Sequence, residues 1–208
     1  GLVDLDLYAG ETSTVRPILE RVTDAANRTL QRPAPNFEPT SYGAPSEWYT
    51  LSENLYRAYL LTGEARFKDF AEVWHYPQYW NRFATTASPD NGHGVHAYSH
   101  VNTFSSAAAA YEVTGDPAYL AIIKNFYDYM QNTQCYATGG YGPNEHFCKV
   151  DGSLGAALET RSDTCETGCG SWAVYKLSRY LQRFTGDARY GDWHEPELIR
   201  CRTAGPGL

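Results

Sequence analysis

Several features are scarce in this 208-residue chain, and each scarcity excludes something. No apolar run approaches the roughly 20 residues that a membrane-crossing helix needs, so no membrane role is expected. No basic stripe exists and the net charge is −7, which argues against nucleic acid as a partner. Cysteine is limited to five positions (Cys135, Cys148, Cys165, Cys169 and Cys201), and an odd count rules out complete internal pairing. Their spacing is not that of a small disulfide scaffold, which leaves a metal site or thiols. The opening Gly1-Leu2-Val3-Asp4-Leu5-Asp6 lacks the basic and apolar regions of a signal peptide. A cytoplasmic chain, a chain whose signal is removed and an excised fragment all fit, so a soluble protein of undetermined compartment is expected.

Hydrophobic residues make up 42% of the chain, enough for one folded domain over residues 1–208. Aromatics are abundant, with 17 Tyr, 5 Trp and 8 Phe. Such rings either fill a core between helices or stack on the C–H faces of sugars.

The strongest internal signal is a repeat. Tyr59-Leu60-Leu61-Thr62-Gly63-Glu64-Ala65-Arg66-Phe67 recurs as Tyr111-Glu112-Val113-Thr114-Gly115-Asp116-Pro117-Ala118-Tyr119, and again from Leu181 to Tyr190 around Thr185-Gly186-Asp187. Each copy reads as helix, tight turn, helix. The glycine supplies a left-handed position that ends the first helix. The acidic residue caps the second, and Pro117 occupies a tolerated first-turn position. Hairpins repeated in this way point to helix pairs laid side by side, as in a toroid or solenoid. Helix-period patterns place helices near 14–29, 47–61, 64–80, 100–113, 117–132, 168–184 and 187–195. Residues 86–98 read as a loop, and 136–165 as a long Gly-rich non-helical stretch in which 146–160 has room for a short hairpin. The expected class is therefore all-α.

Four segments could carry chemistry. In Thr138-Gly139-Gly140-Tyr141-Gly142-Pro143-Asn144-Glu145-His146-Phe147, glycines allow close backbone approach to a ligand. Glu145 beside aromatic rings is either a surface residue after a turn or a general acid, and Tyr141 and His146 are candidates to touch substrate. In Asp163-Thr164-Cys165-Glu166-Thr167-Gly168-Cys169, the two cysteines share a helix face, with Glu166 between them. Thiolate and carboxylate are zinc donors, and Cys148 is a further candidate ligand. Buried thiols or a disulfide to Cys148 are the plain alternatives. His93, His96 and His100 resemble a metal cluster in spacing, but no carboxylate sits among them. His96 and His100 fit substrate hydrogen bonding better, or a simple helix start. In Glu47-Trp48-Tyr49-Thr50-Leu51-Ser52-Glu53-Asn54-Leu55, Tyr49 and Glu53 are four apart and could enter a cleft together, unless the helix is an ordinary amphipathic one with a solvated Glu.

Taken in order, these segments resemble the β-L-arabinofuranosidase family of glycoside hydrolases. The resemblance rests on Glu47 through Leu55, on His100-Val101-Asn102-Thr103, and on Tyr136-Ala137-Thr138-Gly139-Gly140 followed by Glu145-His146-Phe147. It continues through Glu166-Thr167-Gly168-Cys169 and Thr185-Gly186-Asp187. It implies a partial α/α-barrel and an oligo- or polysaccharide substrate containing arabinose or a related sugar. It also implies a retaining mechanism in which a zinc-bound cysteine thiolate attacks the anomeric carbon. Glu145 then takes the acid/base position, Glu166 and Cys169 the zinc-ligand positions, and His100 the sugar site. Two departures stand out. The family motif is Glu-x-Cys where this chain has Glu-x-x-Cys, which leaves Cys165 as an alternative ligand or nucleophile. The family's later Cys-x-Cys-Cys nucleophile segment is missing, as is about half of the barrel's six helix pairs. A replacement nucleophile such as Cys165 or Cys148, or a homo-oligomer that completes the barrel, would then be needed. A non-catalytic carbohydrate-binding remnant and a polysaccharide lyase on the same scaffold are the other readings.

Overall fold

The computed structural model describes residues 1–30, 47–85, 93–160 and 169–196. Among them no strand forms, and two isolated bridges, His96 with His146 and Cys135 with Tyr141, supply the β pairing. The helices are α1 (Leu2–Ala9), α2 (Thr12–Thr29), α3 (Ser52–Thr62), α4 (Ala65–Val73), α5 (Pro77–Trp80), α6 (Ala97–Thr114), α7 (Pro117–Tyr129), α8 (Ser153–Thr160) and α9 (Gly170–Thr185).

The repeated sequence becomes a repeated turn. Gly63, Gly115 and Gly186 take φ of 75°, 69° and 69° and close the helices that precede them. Each preceding threonine donates its hydroxyl back to the carbonyl four residues earlier: Thr62 to Ala58, Thr114 to Ala110, Thr185 to Leu181. The same hydroxyls accept from the backbone N–H of Glu64, Asp116 and Asp187. Asp116 and Asp187 then cap the following element through Ala118 and Arg189.

Because each turn reverses the chain, α3, α6 and α9 run in the same sense. Late residues of α6 and α9 meet through Tyr111 and Phe184, while Tyr49 and Glu53 meet Ser99 and Ser106 in matching order. These three form an inner layer, with α4 and α7 outside. α6 sits at its centre, buried on every side from Ser99 to Ala110. Its Ser105–Ala110 run lacks bulk, which lets α3 and α9 approach closely. Phe104 stacks on Phe126 of α7 at 3.6 Å between ring centroids. One hydrophobic cluster extends from Val3 to Trp193. Among the described residues no helix is long and apolar enough to cross a membrane.

Several expected boundaries shift. The helix expected over 47–61 begins as a 3-10 turn, Trp48–Thr50, before α3. That expected over 64–80 breaks at Trp74, and Pro77 starts α5 anew. α1 was not expected, because eight residues carry little periodicity. The short hairpin considered for 146–160 does not form. His146 pairs with His96 instead, and Ser153–Thr160 is α8. At 187–195 the element is a 3-10 turn, Ala188–Gly191.

Candidate active site

Since α3, α6 and α9 are parallel, their N-termini share one end of the layer, and the longer connections return to that end. Four segments converge there. Thr103 of α6 donates to the carbonyl of Tyr49 at 2.7 Å and accepts from the Trp80 indole at 3.0 Å. The His-x-Asn-Thr motif thereby clamps the Glu-Trp-Tyr-Thr motif. A two-residue ribbon, in which Phe147 N–H donates to the Val95 carbonyl and Gly94 N–H to the Phe147 carbonyl, sets Glu145 and His146 beside His96. Tyr141 is fully buried and donates to the Gly170 carbonyl at 3.1 Å, tying the Gly-rich loop to the start of α9. A Cβ at Gly170 would lie 2.7 Å from the Tyr141 ring, so only glycine allows this approach.

His96 stands at the centre. Its Nδ1 accepts from the Ser99 backbone N–H at 3.4 Å and lies 2.8 Å from Ser99 Oγ, which is in turn 2.8 Å from Tyr49 OH. With Nδ1 accepting, the neutral ring carries its proton on Nε2, the nitrogen that faces Glu145 Oε2 at 3.8 Å. Glu47 Oε1 lies 3.8 Å from Nδ1. A hydrogen-bonded chain thus runs Tyr49–Ser99–His96 toward Glu145, with carboxylates on either side of one imidazole. Burial holds the His96 pKa below its ordinary value, although Glu47 and Glu145 oppose this.

Among the described residues, the non-glycine residues at positive φ are Glu47 (60°), Asn144 (50°) and Glu145 (64°), all at this site. Each costs on the order of 1 kcal/mol or more. Such a conformation persists only where the surroundings impose it.

The other candidates separate by depth. Glu145 is 44% exposed, and His146 holds its Nδ1 2.6 Å from the Asn144 carbonyl, its ring 6.2 Å from that of His96. Cys169 is exposed at the N-cap of α9. Its thiol pKa is raised by burial and by the negative charges of Glu145 and Glu47. His100 lies beneath the site, fully buried among Tyr49, Tyr76 and Tyr79. Its Nδ1 donates to the His96 carbonyl at 2.8 Å, its Nε2 has no hydrogen-bond partner among the described residues, and burial pulls its pKa down to about 3. Tyr49 and Glu53 do not enter one cleft as expected. Tyr49 is buried against Ser99, whereas Glu53 turns to Lys176 and Tyr180 of α9, because a 3-10 turn and not a helix joins them. Cys148 is pinned through its backbone by both ends of the Gln134 amide. Among the described residues Cys135, Cys148 and Cys169 form no disulfide with one another. Cys165 and Glu166 lie outside the described residues.

Among the described residues no three His, Cys, Asp or Glu side chains gather closely enough to hold a metal. Glu145 and Glu47 act on Cys169 in the direction that keeps its thiol protonated, which a cation bound beside it would reverse. Glu47 was missed as a site residue in the sequence. It opens a recognised motif, but its left-handed backbone and its approach to His96 are visible only in the fold.

Parallel inner helices, each leading through a short turn at one end into the next element, with acid, imidazole and thiol groups at the other end, define an all-α scaffold of the α/α-barrel type. The model of the GH127 catalytic domain, described as beta-L-arabinofuranosidase, matches residues 1–200, and the chain belongs to that family. The solved structure of the GH127 beta-arabinofuranosidase BT3674 shares the fold, with a TM-score of 0.59 and 20% identity over 88% of this chain. This chain spans 28% of the length of that protein. No curated protein matches it in sequence.

Proposed function

We propose that this chain carries the acid/base half of a retaining glycoside hydrolase site acting on β-L-arabinofuranosides within oligo- or polysaccharides. The observation that carries this reading is the alignment of Glu145 with His96 at the strained end of the inner helices. Glu145 protonates the leaving glycosidic oxygen as the bond to the anomeric carbon breaks. It later takes a proton from the water that releases the sugar. His96 is a positioning residue: its Nε2–H faces the Glu145 carboxylate, and Ser99 and Tyr49 hold the ring in that tautomer. His146 and Tyr98, whose rings each lie 6.2 Å from that of His96, flank the sugar.

The attacking group is a cysteine, Cys169 or Cys165. Zinc, held by Cys169 with Glu166, Cys165 and Cys148 as the remaining candidates, would supply the positive charge that keeps a thiolate deprotonated near pH 7. A second reading is favoured by Glu47, whose carboxylate faces the other nitrogen of His96. Two carboxylates about one sugar perform retaining or inverting hydrolysis without a thiol. Completion of the barrel by a second copy belongs to the same proposal, and a monomer in light scattering over a wide concentration range removes that part.

The test is hydrolysis of an aryl β-L-arabinofuranoside by the full chain and by Glu145→Gln, Cys169→Ser and Glu47→Gln. Glu145→Gln should lower kcat by about 100-fold or more with an unchanged melting temperature. Full activity in Glu145→Gln, or none in the unmodified protein, overturns the proposal. Loss in Glu47→Gln with activity retained in Cys169→Ser selects the two-carboxylate reading.

A further inference from the structure

A second concavity lies away from His96, on the inner face between α1, α3 and α9. It encloses about 560 Å³, within the range of roughly 300–1,000 Å³ typical of small-ligand sites. One wall is a stripe on α9: Trp172, Lys176, Arg179 and Arg183, spaced so that all four share a helix face.

The charges in this cleft are nearly matched. Lys176 pairs with Glu53, Arg57 with Asp4 and Arg183 with Glu112. These three pairs use all the acidic side chains that line the cleft. Arg179 remains, exposed, with no ion-pair partner among the described residues. In a chain of net charge −7 this lining is therefore cationic by one charge. Beside it, Trp172 is 57% exposed, with the Lys176 ammonium 4.4 Å from the centre of its ring. Trp172 thus presents an aromatic plane, with a cation on it, at the mouth of a polar cleft, the kind of surface on which a sugar ring stacks.

We infer that this cleft binds an acidic oligosaccharide, with one sugar stacked on Trp172 and the carboxylate of a neighbouring uronate on Arg179. The inference rests on the carbohydrate reading above for the sugar, and on the cleft's own charges for the acid. Trp172 and Arg179 are two helical turns apart, about 10 Å along α9, the span of two linked rings. A guanidinium offers two parallel N–H donors that match a carboxylate, whereas a neutral hydroxyl satisfies only one. Lys176 is committed to Glu53, and it stiffens the platform without serving as the anion's partner.

The test is calorimetric titration of the full chain with digalacturonate and with neutral galactobiose, at low salt. Digalacturonate should bind at least about tenfold more tightly, the worth of one charge-assisted contact. Arg179→Ala should abolish the difference, Arg179→Lys should restore part of it, and Trp172→Ala should weaken both sugars. Trp172 and Arg179 are exposed, so melting temperatures should stay unchanged. Equal affinity for the two disaccharides, no binding of either, or indifference to Arg179→Ala overturns the inference. Displacement by equimolar inorganic phosphate also overturns it, since the cleft would then be a simple anion site. Arabinofuranoside hydrolysis is scored separately, so inactivity there would count against Glu145 and leave this result readable.

Discussion

The two ends of the inner layer are built in opposite ways. At the turn end, each Thr-Gly-acid corner is made from residues adjacent in sequence, and its three copies never need one another. At the other end, Glu47, His96, Glu145 and Cys169 come from four separated segments. Each holds its place through a partner far away in sequence: Tyr49 through Thr103, the ribbon through Val95, α9 through Tyr141. Local construction produces unstrained, additive structure. Non-local construction tolerates positive φ at Glu47, Asn144 and Glu145 and a buried imidazole at His100, because many contacts impose them together.

The sharpest way to break this contrast is at Thr103. Thr103→Val removes the acceptor for the buried Trp80 indole N–H and the donor to the Tyr49 carbonyl. Each orphaned group costs on the order of 1–3 kcal/mol, so a loss of about 3 kcal/mol is expected in urea denaturation. The effect should be non-additive with Tyr49→Phe, which releases Ser99 in the same network. Simple additivity of the two would show that this end is as modular as the other.

Acid should find the site end first. His100 is neutral and buried, with a folded pKa near 3 against an unfolded value of about 6.5. The unfolded chain therefore binds the extra proton between these values. The stability is complete above pH 6.5 and falls below it by about 1.4 kcal/mol per pH unit, or about 2 kcal/mol at pH 5. His96 and His194, also lowered by burial, act in the same direction. The urea midpoint should drop between pH 7 and pH 5, and His100→Gln should flatten that drop. A midpoint independent of pH over this window would show that His100 is not buried in the neutral form.

The turn end should respond less. At Gly115 a Cβ meets nothing within 4 Å, so Gly115→Ala carries only the left-handed backbone penalty, about 1–2 kcal/mol. The same change at Gly63 and Gly186 should add to it within experimental error, as thermal melts of single and double variants will show. A marked coupling between the turns would contradict their independence.

This difference also explains what could be read from sequence. The turns were legible because glycine and the acidic cap act within four residues, and the repeat made them conspicuous. The all-α class followed directly. Glu145 and Cys169 were reachable as chemistry-bearing residues in motifs, and they do come to one end. Tyr141 drew attention by lying in the same motif, yet it is a buried strut against Gly170, a distinction that depends on burial across 29 residues of chain. Tyr49 and Glu53 were paired by helical spacing that a single 3-10 turn cancels. Glu47 showed only its place at the head of a motif, because its role comes from meeting His96, 49 positions away.

Within the turn end, the first corner differs from the other two in one methylene group. Glu64 makes no side-chain cap, whereas Asp116 and Asp187 do. Glu64 instead pairs with Arg66 at 2.9 Å. Asp187 occupies the same position relative to Arg189, and it manages both tasks. One of its oxygens accepts from the Arg189 backbone N–H at 3.0 Å, while the other lies 3.2 Å from the guanidinium. The shorter side chain therefore loses nothing at the arginine and gains a cap. Glu64→Asp should stabilise the protein by about 0.5 kcal/mol, toward the lower end of measured N-cap effects, seen as a small rise in melting temperature. Because the gain lies in the cap and not in the ion pair, it should persist in the Arg66→Ala background. A fall in melting temperature would mean that the first corner is held open by its surroundings, and that even the local end of this fold answers to its neighbours.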